Sequence, residues 1–152
     1  MNRRNLLLGI SALPAMSQKF PIIGHGQFKY RLDTQWSQAD PAKYPVNDCH
    51  EMVQSSDGRL FLLTNHKQNN VLIYDTNGKL LNAWTLNFAG AHGLSIHENH
   101  LWITDTGTGR VVKTTLDGEI KLELPHAAQC GAYKPTDVYS PTETAVGPNG
   151  DI

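Results

Sequence analysis

Residues 49–84 (CHEMVQSSDGRLFLLTNHKQNNVLIYDTNGKLLNAW) and 91–120 (AHGLSIHENHLWITDTGTGRVVKTTLDGEI) repeat one another. Each opens on a histidine, continues with an apolar pair and a turn, and reaches an apolar run that ends in Thr-Asn or Thr-Asp. Two more short apolar runs follow, separated by tight polar turns. Thr64-Asn65 and Thr104-Asp105 stand 40 residues apart, and His50 and His92 stand 42 apart because the turn SSDGR is longer than HENH. No apolar spacing of the helical kind competes with this pattern.

Each unit divides into four strands. In the second they are predicted at His92–Ile96, Leu101–Asp105, Arg110–Thr115 and Glu119–Leu124, with turns HENH, TGTG and LDG between them. Gly58, Gly78, Gly118 and Gly150 each follow Asp or Asn, the hairpin signature, because glycine takes the positive φ such turns require. Four antiparallel strands at a period of about forty residues describe one blade of a β-propeller better than a sandwich or barrel. The expected fold is all-β: a propeller of about two and a half four-stranded blades.

The expected organisation is an export-signal-like segment at 1–16, then an N-terminal segment at 17–48 with an outer strand within 26–36. Blades follow at 49–88 and 89–133, and a further, truncated blade starts at 134–152, where Pro135-Thr136-Asp137-Val138 stands in the place of Ala91-His92-Gly93-Leu94. The leading MNRRNLLLGISALPAM pairs two arginines with an apolar stretch too short to span a membrane, and NRRNLLL is similar to a twin-arginine motif. This predicts export to a periplasmic or extracellular location, with no stable membrane span. Cys49 and Cys130 would then meet oxidising conditions, yet they open different blades and no disulfide between the two is expected.

A formal net charge of −1, with basic residues scattered, gives no footing for nucleic acid. No phosphate-loop or nucleophile-elbow motif is present. The first strand of every blade lines the central channel, so His50 and His92 are expected to converge, with Thr136 in the third equivalent place. Three imidazoles from separate blades, with a fourth position open, are what a catalytic zinc needs. His66, His97, His100 and His126 fall in turns. The alternative for both axial histidines is a structural hydrogen bond, and for His50 that reading is favoured. Asn65 and Asp105 end equivalent strands and either satisfy their own turns or, with Glu51, form an oxygen site suited to calcium. Trp84 and Trp102 are expected to pack between blades.

The stretches HGLSIHENHLWITDTGTGRVVK and KPTDV…AVGPNGDI resemble the six-bladed, NHL-repeat family of peptidyl-α-hydroxyglycine α-amidating lyases. The likeness covers roughly 49–152, is best over 91–115 and 134–152, and is interrupted by YSPTET at 139–144. It implies a zinc ligand at His92, a calcium-binding backbone carbonyl at Leu94, and a Cys130 whose partner belongs to a following blade. It places no zinc ligand at His50 and finds no counterpart of the family's catalytic arginine in TNHKQN (64–69). The family's catalytic tyrosine and two further zinc histidines have no match within 49–152. The expected role is therefore a binding domain for a protein, peptide or polysaccharide in the channel, not catalytic alone. A metal-dependent lyase-like enzyme and a calcium-dependent lactonase-like propeller are the alternatives.

Overall fold

The computed structural model describes residues 20–152, so the export-signal reading of 1–16 lies outside the described residues. The chain divides into two units that meet at Thr34 and Gln35. In the first, β1 (Ile22–His25) and β2 (Phe28–Arg31) form a two-stranded antiparallel ladder with every side chain exposed. The strand expected within 26–36 is thus β2, hydrogen-bonded to β1.

The second unit holds two four-stranded antiparallel sheets, each a simple meander. One is β3 (Cys49–Gln54), β4 (Leu60–Thr64), β5 (Val71–Tyr74) and β6 (Leu80–Trp84); the other is β7 (Ala91–His97), β8 (His100–Asp105), β9 (Arg110–Thr115) and β10 (Ile120–Leu124). The predicted strands are found within a residue or so of their expected bounds, because the runs LFLLT, VLIY, HLWITD and RVVKTT are rich in β-branched, aromatic and leucyl side chains. Neither sheet closes on itself, and no α-helix occurs among the described residues. No helix there is long and apolar enough to cross a membrane.

The turns carry the backbone cost. Glu98 and Asn99 both adopt positive φ (48° and 58°) between the paired His97 and His100, the geometry of a two-residue hairpin loop. The core lies between the sheets. Phe61, Leu63, Val71 and Ile73 of one face Leu94, Leu101, Ile103 and Val112 of the other, with Phe88 inserted from the β6–β7 connection. The face of the first sheet turned away from this core is overlaid by residues 36–46, which with Met52, Leu62 and Tyr74 enclose an apolar cavity of about 270 Å³.

Two tryptophans do the same job over turn glycines forty residues apart. Trp84 Nε1 donates to Leu116 O across the β9–β10 turn, and Trp36 Nε1 donates to Thr76 O across the β5–β6 turn. Gly118 and Gly78 lie under the two indoles, both at positive φ (89° and 82°). A Cβ on Gly78 would overlap the Trp36 carbonyl as well as strain the backbone. Gly78→Ala is accordingly expected to cost roughly 2–4 kcal/mol in urea unfolding, with a change in tryptophan fluorescence as residues 36–38 lift away. Trp102 is buried as expected of a core residue, but strand alternation puts it on the face opposite Leu101 and Ile103, under the Lys113 ammonium at 5.6 Å.

The connection from β6 to β7 is bound from both sheets. Arg110 donates from Nε and Nη2 to the two Glu123 oxygens (2.8 and 3.0 Å) and lies 5.0 Å over the Phe88 ring. The hydrogen bond from Arg110 holds Glu123 below the usual carboxylate range. A depressed carboxylate adds stability above its unfolded value and loses it as pH falls through the folded one. Glu123→Gln should therefore destabilise at pH 7, by no more than about 1 kcal/mol for so exposed a pair. The gap to wild type in thermal melts should close as pH drops below about 4.

Candidate functional site

The two repeat histidines meet, and irregularities in the sheets bring them together. In β3, Cys49 pairs with Thr64 and Glu51 with Leu63, which leaves His50 as an extra residue. In β7, Ala91 pairs with Asp105 and Leu94 with Ile103, so His92 and Gly93 together oppose Thr104 alone. Each first strand thus carries a β-bulge at its histidine, a device that re-aims a side chain. β7 packs against β3 and β4, and the two imidazoles stack with centroids 4.4 Å apart and planes at 29°.

Thr142, Glu51 and Glu143 lie around this pair. His92 Nδ1 lies 3.0 Å from Thr142 O. A carbonyl only accepts, so Nδ1 carries a proton and Nε2 is the nitrogen left to act as an acceptor or ligand. Glu51 reaches from β3 to accept the Leu94 N–H at 2.5 Å, satisfying a donor on the edge of β7. Glu143, from the segment beside β7, is influenced by the Glu51 carboxyl through hydrogen bonding and charge. That bonding, partial burial and the Glu51 charge raise Glu143 above the usual carboxylate range, while His92 pulls it down.

The segment that meets His92 is not the expected one. Thr136 stays exposed in a turn closed by Asp137 N–H on Lys134 O, and 134–152 forms no strand. A strand needs a ladder partner, and none is present for this segment among the described residues. Instead, Thr142, Glu143 and Thr144, from the YSPTET insertion, lie along β7: Ser95 Oγ and Thr144 Oγ1 are 3.3 Å apart, and Ser140 Oγ donates to Thr106 O. Gly93 lets them come close, since a Cβ there would stand 2.9 Å from Glu143 Cα and 2.7 Å from Thr104 Oγ1.

The remaining candidates have other work. Asp105, fully buried, accepts from Gly90 N–H (2.7 Å), Gly107 N–H (3.1 Å), Ala89 N–H (3.3 Å) and the Thr108 hydroxyl (2.5 Å). Four donors fill its lone pairs in this structure. Asn65 exchanges hydrogen bonds with Asn47 and Asp48, closing the turn ahead of β3. Beside that turn opens a polar cleft of about 540 Å³ lined by Asn47, Asn65, His66, Lys67, Gln68 and Ala89. The Leu94 side chain packs in the core, and its N–H is taken by Glu51. Cys49 and Cys130 are free thiols, and burial together with the Asp48 charge pushes Cys49 up, which disfavours it as a nucleophile. His97 and His100 flank the β7–β8 hairpin, and His126 caps a short 3-10 turn (Ala127–Cys130).

Two stacked imidazoles, one with its tautomer fixed by a carbonyl, suit a borderline metal such as zinc. A catalytic zinc takes three protein ligands. Among the described residues no group of three His, Cys, Asp or Glu side chains gathers closely enough to hold an ion. The donor set fits zinc in kind but is incomplete, and no catalytic step follows from it. No protein-family model and no curated protein sequence matches the chain.

Proposed function

We propose that the two sheets are neighbouring blades of an NHL-type β-propeller and that the chain works as a binding domain, with its ligand site at the mouth where the first strands begin. The single observation that carries this reading is the stacking of His50 on His92, each delivered by a bulge at the same place in the repeat. Packing of β7 on β3 agrees with first strands gathered round an axis. Bulges that aim two imidazoles and a carboxylate at one exposed spot are more than a core needs.

The lyase-like alternative is favoured by one feature, the contact of His92 Nδ1 with the Thr142 carbonyl, which leaves Nε2 as the ring's acceptor nitrogen. If it holds, His92 and His50 would be the protein's contribution to a zinc ion, which would polarise a substrate oxygen when bound. This chain's residues bind and orient in that scheme, without the third ligand.

Zinc alone is the probe that tests the shared site. Imidazole ¹⁵N shifts are followed as Zn²⁺ is titrated into the chain at pH 7. His50 and His92 are expected to respond together at one midpoint, ahead of His66, His97 and His100, and His92→Ala should weaken the response at least tenfold. Independent responses spread over all the histidines, or none at the pair, would sink the binding reading.

A further inference from the structure

We propose that Thr142–Thr144 is an internal stand-in for the ligand, and that the trough along β7 takes an extended peptide whose central side chain donates to Glu51. This rests on the binding-domain reading above and names the class of ligand.

The contacts of the segment are those of a bound peptide. A main-chain carbonyl, available from any sequence, engages His92 Nδ1. A hydroxyl two residues later meets Ser95. The intervening residue, Glu143, settles against Gly93, next to Leu94, whose N–H donates to Glu51. The absence of a side chain at Gly93 makes the trough into which the backbone settles. Thr142 and Glu143 remain exposed and belong to no strand, so they bury little and can be released at low cost.

Glu143 is a poor match for its position. Glu51 already accepts from Leu94 N–H and offers further acceptor capacity. A second carboxylate beside it adds like charge and no donor, whereas a lysine, arginine or amide brings donors outright. An intramolecular segment competes at an effective concentration in the millimolar range, so even a mismatched one masks the trough until a better-matched peptide arrives.

The test uses the full chain with Thr142→Gly, Glu143→Gly and Thr144→Gly, and two fluorescein-labelled peptides, SPTKTA and SPTETA, read by anisotropy at pH 7. The lysine peptide is expected to bind the loosened chain at least tenfold tighter than wild type and tighter than the glutamate peptide. That binding should be lost on adding His92→Ala. The inference is overturned if neither peptide binds although the His92 imidazole signal shows that the segment has left. It is also overturned if both peptides bind equally well. Paired zinc response with no peptide binding removes this inference and leaves the shared site standing; loss of the paired response removes the site itself. If the triple variant does not fold, Glu143→Lys places the matched side chain in cis. It should raise Tm by about 2–4 °C and slow amide exchange at 142–144, and a fall in both would count against the proposal.

Discussion

Replacing Asp105 by alanine should lower the stability of the chain by about 3–5 kcal/mol, more than the loss of most single buried groups. The carboxylate is fully buried at the end of β8 and receives hydrogen bonds from the backbone of Ala89, Gly90 and Gly107 and from the Thr108 hydroxyl. Alanine leaves all four donors without their acceptor, and each unsatisfied buried donor costs about 1–3 kcal/mol. Water reaching the partly buried ones keeps the sum below the maximum. Asparagine keeps one acceptor oxygen but turns an amide NH₂ toward donors, so Asp105→Asn should recover at most half the loss. Urea unfolding with an unchanged m-value is the measurement; a loss under about 1 kcal/mol would show that the turn finds other acceptors.

That role for Asp105 was half legible in the sequence. An Asx residue at a strand end commonly bonds the next turn, and the bonds to Gly107 and Thr108 are of that kind. The bonds to Ala89 and Gly90 reach back 16 and 15 residues to the β6–β7 link, and no local pattern announces those. The same divide runs through the fold. Strand bounds follow from short-range alternation and Asp-Gly or Asn-Gly turns, so they can be read directly. The convergence of His50 and His92 was readable because the repeat gives both the same place.

What brings the rings together was not readable. A bulge is a property of two strands in register, as with Cys49 on Thr64 and Glu51 on Leu63, and it leaves no mark in one of them alone. Glu51 was noted only as a calcium candidate, and Glu143 not at all, because YSPTET fits no repeat position and its packing on Gly93 is a tertiary event. The docking of Trp36 and Trp84 did leave a signal: two turn glycines forty residues apart, each preceded in the chain by a tryptophan. Only the spacing of the indoles, 48 residues rather than forty, hides it.

Asn70 holds the same β6–β7 connection from the opposite sheet, and Asn70→Ala is expected to cost about 3–4 kcal/mol. Its Oδ1 accepts from the Thr85 hydroxyl (2.7 Å), Phe88 N–H (3.0 Å) and Leu86 N–H (3.1 Å), and its Nδ2 donates to Thr64 O and Phe88 O, both at 3.3 Å. No solvent reaches the side chain, so its partners are left dry when it is removed. Asn70→Asp should be no better, since it replaces a donor with an acceptor facing two carbonyls. Because Asn70 fixes residues 85–88 and Asp105 fixes 89–90, the two act on one six-residue link. Once either is gone the link is already loose, and losing the other costs less. The double variant should therefore fall short of the summed single losses by about 1–2 kcal/mol. Strict additivity would mean that each sheet anchors its own end of the link independently. The predicted shortfall would mean that Phe88 is driven into the core by both sheets together, and that the placement of His92, two residues beyond Gly90, depends on a lock the first sheet helps to close.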